Sequence, residues 1–444
     1  YYPDYLERVE RELESGDVLL AGVAMMTSQL SGGIKISKRI RELAPTVKLI
    51  TGGVHCTLFP QETLDSGYFD YVCDGEGHFT VLDLVRSLTS EVPTSQVAGL
   101  ISKEWPKLIK RPSEDIKLVP AVDYSLIEVA DFITKKVVRL GLNEVRSLPI
   151  LAGLGCPYRC TFCINVILKV KYRAKTAEVL IEEIKFLIEK YGVNHISFLD
   201  ELFFADRKRL LRFAELIEEN GLKFAWSGTV RANFFDTFLD DAFITKLRSA
   251  GCYEFEVGAE SGSQRILDSV SKGFKLSQVE KLVVLCKKHD VIPTLSYMVG
   301  LPGEEREDII KTFEFCARLI AINPGVRIIG PQVFRPYPGS PLYDLAVESG
   351  LTIPKTLEAW AEVFNNEEAY FDIDNLPWIK EKKLIRMMSF LLQRATPPTY
   401  ASRNIFTRIG ALMLVPIASF RLRRKFFWFP LEFYLFKLAT GRQT

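Results

Sequence analysis

The feature that most constrains this chain is a group of three closely spaced cysteines. Cys156, Cys160 and Cys163 have the spacing C-x3-C-x2-C. Three thiolates this close in sequence can hold three irons of a [4Fe–4S] cluster, which leaves the fourth iron open to a small molecule. The alternatives are a zinc site or unrelated core cysteines. Zinc sites usually have a fourth Cys or His ligand, and none follows within the next thirty residues.

Composition places the chain among ordinary globular proteins. Its 444 residues allow two or three domains. The 57 Lys and Arg residues nearly balance the 55 Asp and Glu residues, so the net charge gives no indication of nucleic-acid binding. Eight cysteines in a chain of this length do not indicate a disulfide scaffold. With no recognisable signal peptide, and with an oxygen-labile cluster expected, a reducing cytoplasmic setting is predicted. The chain starts at Tyr1, so an N-terminal piece could be missing.

The N-terminal region alternates between apolar runs and helical patterns. Short strands are predicted at 17–24, 47–51 and 69–73, with helices between and after them. This alternation predicts a doubly wound parallel sheet whose ligands lie beyond the carboxyl ends of the strands. Glycine-containing segments follow the second and third strands, and they allow either close approach of a large cofactor or ordinary turns.

The region after residue 149 repeats the strand–helix alternation more regularly. Between it and the N-terminal sheet, residues 93–148 contain several prolines and predict a connector with short strands near Leu100 and Leu108. Six strands are then predicted, at 149–153, 195–199, 224–230, 253–257, 293–299 and 327–334. This pattern predicts a partial (β/α)6 barrel, whose chemistry gathers at the carboxyl ends of its strands.

The cysteine segment, with Phe162 just before its last cysteine, resembles the signature of the radical S-adenosylmethionine (SAM) enzymes. Further motifs extend this likeness over residues 15–345. They are Gly52-Gly53-Val54-His55, Asp74-Gly75-Glu76-Gly77, Asp200-Glu201, Thr229-Val230-Arg231, Gly258-Ala259-Glu260-Ser261, Gly300-Leu301-Pro302-Gly303-Glu304 and Arg335-Pro336-Tyr337-Pro338-Gly339-Ser340. Together they resemble the cobalamin-binding-domain group of radical SAM enzymes.

The resemblance implies a [4Fe–4S] cluster on the three cysteines, with SAM bound to its open iron. Asp200 and Glu201 are then expected near the SAM amino group, Arg231 near its carboxylate and Glu260 near its ribose. Further contacts are expected from Lys272, Ser296 and the turn at Gly300. A surface salt bridge is the simpler interpretation of Arg231 or Glu260.

The resemblance also implies cobalamin on the N-terminal sheet. The residues expected to contact it are Thr27, Ser28, Gly52, Gly53, His55, Gly75, Glu76 and Gly77. The Asp-x-His-x-x-Gly loop that supplies an axial histidine elsewhere in the group is absent. His55 is therefore expected to cap a turn rather than bind cobalt. Arg335 and Tyr337 are candidates to meet cobalamin or substrate, although a rigid structural turn explains them equally well.

The predicted architecture is α/β, with four parts. A Rossmann-like cobalamin-binding-type domain spans 1–92, a connector 93–148, the radical SAM partial barrel 149–345 and a helical extension 346–444. The expected reaction is cobalamin-dependent methylation of an unactivated carbon of a small molecule, with an external electron donor. The alternatives are a radical cyclisation or oxidative rearrangement, and an enzyme whose N-terminal domain is a cobalamin-free docking module.

The C-terminal tail, residues 395–444, combines basic and aromatic residues. Arg421, Arg423, Arg424 and Lys425 directly precede the segment Phe426–Phe429. The apolar run before them is too short, and too broken by Pro416, to span a bilayer. Basic residues beside aromatic ones suit an anionic membrane surface, so peripheral membrane contact and an apolar or lipid substrate are expected. A helical cap over the barrel is the alternative.

Overall fold

The chain folds into two compact units. The structure, a computed structural model, describes residues 4–90, 93–119, 122–133, 145–365, 373–395, 416–418, 420–421 and 424. The first unit comprises residues 1–114 and 337–377, and the second comprises residues 115–336 and 378–444.

The first unit contains a four-stranded sheet in the order β1-β2-β3-β4. Its strands are β1 (Leu20–Ala24), β2 (Lys48–Gly52), β3 (Tyr71–Cys73) and β4 (Leu100–Ser102). The first three are parallel, as the sequence predicts, and β4 runs antiparallel beside β3. The second short strand expected near Leu108 is not formed.

Helices cover this sheet because their apolar residues recur at helical spacing. They are α1 (Tyr5–Glu14), α2 (Leu30–Leu43), α3 (Val54–Leu58), α4 (Pro60–Asp65) and α5 (Gly77–Leu88). In α2, Leu30, Ile34 and Ile40 are buried and share one core cluster with Leu49 of β2 and Val72 of β3. This apolar stripe fixes which face of α2 meets the sheet.

The second unit is built on a six-stranded parallel sheet in the order β12-β11-β10-β9-β8-β5. It begins after the short helix α6 (Val129–Phe132). Its strands are β5 (Ser147–Ile150), β8 (His195–Phe198), β9 (Ala225–Thr229), β10 (Cys252–Glu260), β11 (Ile292–Val299) and β12 (Arg327–Val333). An antiparallel pair, β6 (Gly153–Leu154) and β7 (Arg173–Ala174), flanks the cysteine segment. The predicted partial barrel is confirmed.

Helices connect the strands of this barrel. They are α7 (Ile164–Leu168), α8 (Ala177–Tyr191), α9 (Arg207–Glu219), α10 (Asp241–Ser249), α11 (Gln264–Ser269), α12 (Leu276–Lys288) and α13 (Arg306–Ile322). At the start of α8, Thr176 Oγ1 accepts a hydrogen bond from Val179 N, which confirms the expected N-cap. Rings of Phe198, Phe203 and Trp226 pack around Phe213 of α9, so aromatic contacts seat that helix on the sheet.

The segment after the barrel, predicted as a helical extension, divides between the two units. Helices α14 (Pro341–Glu348) and α15 (Leu357–Asn365) belong to the first unit, whereas α16 (Lys382–Ala395) belongs to the second. Leu357 and Trp360 of α15 are buried in the same core cluster as α2. Part of the expected connector, up to Glu114, also belongs to the first unit because β4 extends its sheet.

The basic and aromatic tail lies almost wholly outside the described residues. Of its basic group, Arg421 and Arg424 are described, whereas Arg423, Lys425 and the aromatic residues after them are not. Among the described helices, none has the length and apolar character needed to cross a membrane. Membrane contact stays a prediction.

A buried polar network closes the amino-terminal end of the barrel. Ser147 Oγ lies 2.7 Å from His195 Nδ1, and His195 Nε2 lies 2.6 Å from the Tyr253 hydroxyl. Next to them, Glu254 accepts hydrogen bonds from Thr294 and from Arg327. Burial lowers the pKa of His195 to about 4, since the imidazolium loses hydration there.

This burial makes barrel stability depend on pH. Between pH 6.5 and about 4 the unfolded chain binds a proton at His195 that the folded chain does not. The free energy of unfolding therefore has its full value, as far as His195 is concerned, above pH 6.5. It decreases as the pH falls towards 4, by at most about 3 kcal/mol. We expect the unfolding temperature to fall less for His195→Gln than for the wild type when the pH is lowered from 7 to 5. Circular dichroism measures both unfolding temperatures. Parallel losses in the two proteins would contradict this assignment.

Candidate active site

The three cysteines lie in one tight loop between β6 and α7. Cys163 is the N-cap residue of α7, and its amide donates to Cys160 O at 3.0 Å. The amide of Thr161 donates to Val270 O at 3.1 Å, which ties the loop to the end of α11. Cys160 is buried and the other two cysteines are half-buried. The spacing seen in the sequence therefore brings three thiols to the carboxyl end of the barrel.

Gly155 allows the chain to return across this loop. It has a φ of +75°, and a Cβ there would lie 2.6 Å from Val170 O and 2.7 Å from Lys171 O. A larger residue would force the two strands of the β6–β7 ribbon apart. The residue before Cys156 therefore has to be glycine for the loop to close.

Two carboxylates at the end of β8 hold the start of the loop. Asp200 Oδ1 accepts from Ala152 N at 2.7 Å, and Glu201 Oε2 accepts from Gly155 N at 3.1 Å. Asp200 Oδ2 is buried and has no hydrogen-bond partner among the described residues. Burial raises the pKa of Asp200 to about 6. Both residues expected near the SAM amino group thus position the cysteine loop.

Arg231, which follows β9, lies directly against the cysteines. Its Nη1 is 3.7 Å from Cys160 Sγ, and its guanidinium carbon is 3.6 Å from the centre of the Tyr158 ring. It also donates to the carbonyl oxygen of Lys272. The role at the SAM carboxylate stays a prediction. The Arg231 guanidinium is therefore buried, and it is held by the cysteine loop on one side and by the Lys272 backbone on the other.

Glu260 and Lys272 form a buried ion pair at the end of β10. Lys272 Nζ lies 2.7 Å from Glu260 Oε1, and each side chain is only 9% exposed. Lys272 Nζ also lies 5.5 Å from the centre of the Phe162 ring, in the cysteine loop. Glu260 has a φ of +63°, a left-handed conformation that is costly for a residue with a Cβ. Strain of this kind persists where surrounding structure enforces it, which is common at functional sites.

The glycine at 258 makes room for this pair. A Cβ there would lie 2.9 Å from Lys272 Nζ, so the pair occupies space that any other residue would fill. The glycine of the motif Gly258-Ala259-Glu260 is therefore needed to accommodate the ion pair, in addition to its position near the end of β10. The interpretation of Glu260 as a surface salt bridge is wrong, because both partners are buried.

The environment of the thiols fits a multi-iron cluster. Burial raises the pKa of Cys156 and Cys163, so their thiolates need nearby positive charge. Arg231 and Lys272 supply part of it, since both oppose the shift at Cys156. Within the described part of the chain, no three His, Cys, Asp or Glu side chains surround one point as ligands of a single metal ion do. A cluster differs, because each thiolate binds a different iron.

Ser296 and Gly300 lie on and after β11, the strand beside β10. Ser296 is paired in register with Gly258, and Gly300 has a φ of +76°. The Trp378 indole donates to Gly300 O at 2.7 Å, while Gly300 N donates to Glu304. Burial raises the pKa of Glu304 to about 7. The contact from Trp378 was not predicted, since nothing in the sequence links it to a residue so far away in the chain.

In the first unit, the cobalamin candidates lie at the carboxyl ends of the strands. Gly52 ends β2, and Gly53 has a φ of +100° where a Cβ would lie 2.5 Å from Met25 O. Thr27 and Ser28 follow β1 in a short 3₁₀ turn. After β3, Gly75 has a φ of +79° and open space where its Cβ would be. Glu76 and Gly77 begin α5.

His55 is enclosed within the core of this unit. Its Nδ1 lies 3.2 Å from Thr27 Oγ1, and its ring lies 5.1 Å from Phe59 and 5.9 Å from Trp360. The side chain is fully buried, which lowers its pKa to about 4. The expectation that it caps a turn is too simple, because the ring packs among aromatic residues. Arg335 and Tyr337, the weak catalytic candidates, are both exposed.

Comparison with known proteins identifies the second unit. Residues 150–316 match the sequence model of the Radical SAM superfamily. An uncharacterized methyltransferase of Pyrococcus horikoshii is 25% identical over 408 residues, covering 87% of this chain and 85% of that protein. The bacteriochlorophyllide d C-8(2)-methyltransferase of Chlorobaculum tepidum is 26% identical over 356 residues, covering 78% of this chain and 71% of that protein.

A solved structure shares the fold over nearly the whole chain. It is the radical SAM methyltransferase TsrM from Kitasatospora setae, with cobalamin and a [4Fe–4S] cluster bound. Its TM-score is 0.63 at 15% identity, and the match covers 94% of this chain and 91% of that one. The superfamily implies a [4Fe–4S] cluster and SAM, which the site built around Cys156, Cys160 and Cys163 fits. Residues 150–316 therefore form a radical SAM domain, and the relatives agree with the resemblance to the cobalamin-binding-domain group of radical SAM enzymes. The likeness to the solved structure shows that the two-unit fold is shared.

Proposed function

We propose that this enzyme methylates an unactivated carbon of a small molecule, with cobalamin as a further cofactor. The observation that carries the radical chemistry is the arrangement of Arg231 and Lys272 beside three thiols, with Asp200 and Glu260 at the ends of neighbouring strands. The methyl transfer is supported by the names of two relatives, both methyltransferases.

The cysteines, in this proposal, hold the cluster while the surrounding charges orient SAM. When bound, the cluster supplies one electron to SAM, whose carbon–sulfur bond then breaks to give methionine and a 5′-deoxyadenosyl radical. The unpartnered Oδ2 of Asp200 accepts from the SAM amino group, and Arg231 attracts its carboxylate. Glu260 accepts from a ribose hydroxyl, and its rigid, strained backbone aims the carboxylate. Ser296 and the turn at Gly300 form the part of the proposed site that contacts the adenine of SAM.

Cobalamin binding is proposed for the first unit. Its sheet ends in Gly52-Gly53 and Gly75-Glu76-Gly77, and these backbones leave room for a large ring or its tail. The imidazole of His55 is buried against Phe59 and Trp360, so cobalt would bind without it. We also propose that the C-terminal tail contacts a membrane surface and that the substrate is apolar. Both proposals rest on the basic and aromatic residues in the sequence of the tail.

Radical cyclisation is the second candidate function. The anaerobic magnesium-protoporphyrin IX monomethyl ester cyclase of Rubrivivax gelatinosus is 24% identical over 304 residues, covering 66% of this chain and 53% of that protein. A cyclase needs no methyl transfer from SAM. An enzyme whose first unit only docks a partner would bind no corrinoid at all.

The products of SAM therefore test the proposed function. We expect the reconstituted, cobalamin-loaded enzyme with a chemical reductant to form both 5′-deoxyadenosine and S-adenosylhomocysteine. Radical formation converts SAM into the first product, and methyl transfer converts SAM into the second. Chromatography with mass spectrometry measures both. Deoxyadenosine without S-adenosylhomocysteine would favour the cyclase.

The cysteines provide the control for this experiment. Each single Cys→Ala variant and the triple variant should lose iron, from about four per chain, and should form no 5′-deoxyadenosine. Cys252→Ala alters a buried cysteine at the start of β10, which is not part of the cysteine loop, and should keep both iron and activity. SAM cleavage by the triple variant would refute the assigned site.

The Glu260–Lys272 pair gives a prediction about SAM affinity. We expect Glu260→Gln to bind SAM roughly ten- to a hundredfold more weakly, with iron content unchanged, because one charge-assisted contact is lost. The variant also leaves Lys272 buried without its partner, which costs about 3–5 kcal/mol of stability. The double variant Glu260→Gln/Lys272→Met should regain stability but not affinity. Wild-type SAM affinity in the double variant would show a purely structural pair.

Cobalamin ligation is predicted from the enclosure of His55. Co(II)-cobalamin bound to the enzyme should show no nitrogen superhyperfine splitting that comes from His55 in its electron paramagnetic resonance spectrum, since this imidazole is enclosed in the core. His55→Gln should give the same spectrum. A splitting present in the wild type and lost in this variant would contradict the prediction, and failure to bind any corrinoid would favour the docking alternative.

A further inference from the structure

The loop that carries the cysteines also carries cations that the proposed function does not use. Residues 151–177 contain no Asp or Glu and five basic residues, Arg159, Lys169, Lys171, Arg173 and Lys175. One of these, Lys175, pairs with Glu183 at 2.7 Å. Arg173 is half-buried in β7. The three remaining cations are more exposed than Arg173 and, unlike Lys175, have no carboxylate partner among the described residues.

Arg159, Lys169 and Lys171, called here the loop cations, are exposed. Within the described part of the chain, none of the three forms an ion pair or a side-chain hydrogen bond. Other surface cations of the barrel, such as Lys246 and Arg318, are paired with carboxylates at 3.2 Å and 2.7 Å. The loop cations therefore add positive potential to the surface without stabilising a fold contact.

Each loop cation belongs to the segment that carries or directly flanks the cysteines. Arg159 directly precedes Cys160 in sequence. Lys169 ends the short helix α7, which begins immediately after Cys163. The backbone of Lys171 lies against Gly155, the residue before Cys156, with its carbonyl oxygen 2.7 Å from where a Cβ of Gly155 would be. Three exposed positive charges therefore lie on the segment that would hold the cluster.

We propose that the loop cations form the docking surface for an acidic protein that donates one electron. Docking reduces the cluster by one electron and oxidises the donor by one electron, and no bond or proton changes place. Electron-transfer encounters of this kind bury little area and depend on charge complementarity for their rate. The inference rests on the cluster assigned under the proposed function, and it adds the sign and the place of the donor surface.

The experiment compares a protein donor with a small reductant. Arg159→Glu, Lys169→Glu and Lys171→Glu each reverse one loop cation. Lys223→Glu is the matched control, because Lys223 is exposed, unpaired among the described residues and placed before β9, at the opposite end of the strands. The donor is a labelled, acidic [2Fe–2S] ferredoxin, and its binding to the cluster-loaded enzyme is measured by fluorescence anisotropy at about 50 mM and about 300 mM salt. The rate of 5′-deoxyadenosine formation is measured with reduced ferredoxin and with dithionite.

We expect each loop variant to bind ferredoxin roughly three- to tenfold more weakly than the wild type at low salt. The ferredoxin-driven rate should fall with it, the dithionite-driven rate should stay at the wild-type value, and Lys223→Glu should change neither. Higher salt should weaken wild-type binding and narrow the difference between variants. This pattern separates docking from damage to the cluster.

Other outcomes overturn the proposal. Unchanged ferredoxin binding in all three loop variants would place the donor elsewhere, and an equal loss in Lys223→Glu would show only an effect of net charge. An equal loss of the dithionite rate would make the loop cations structural. Stronger, loop-dependent binding to anionic liposomes or RNA than to ferredoxin would assign the surface to a different partner. Failure of wild-type enzyme to cleave SAM with dithionite would refute the proposed function, independently of the binding result.

Discussion

The hydrogen bonds from the end of β8 to the cysteine loop are the interaction on which the rest of the site depends. Asp200 and Glu201 accept from the amides of Ala152 and Gly155, on either side of β6. Backbone hydrogen bonds to charged acceptors are strong, so these two contacts fix the position of the loop. Since these acceptors follow β8, which is paired with a strand on each side, the cysteine loop is anchored to the barrel sheet.

Positive charge then decides what the loop can hold. The thiols of Cys156 and Cys163 have pKa values raised by burial, and the cations that oppose this shift come from Arg231 and Lys272, after β9 and β10. Lys272 is in turn held by Glu260, whose left-handed backbone is stabilised only by the surrounding packing. One chain of contacts therefore joins the cysteine loop to the ends of β9 and β10. Two buried cations beside three thiols suit an electron-rich cluster better than a set of neutral thiols.

Enclosure of His55 illustrates a different constraint in the first unit. A histidine after a strand-end glycine pair resembles a ligand when only the sequence is considered. The neighbouring Trp360 comes from α15, some three hundred residues further along the chain, and completes the core around the imidazole. Loss of hydration in that core favours the neutral ring and removes it from the surface where a cofactor would lie. The same return of the chain places α14 and α15 in the first unit.

The sequence by itself determined the alternation of strands and helices, the partial barrel, the three-cysteine loop and the strand ends that surround it. These follow from local signals, namely apolar period, glycine placement and the spacing of Cys156, Cys160 and Cys163. Tertiary structure alone decided that Asp200 and Glu201 position the loop, that Arg231 contacts Cys160 and that Glu260 pairs with Lys272. It also decided the return of α15 to the first core and the contact from Trp378 to Gly300. Such contacts join residues far apart in the chain, and no single-sequence pattern records which distant side chain fills a given space or neutralises a given charge.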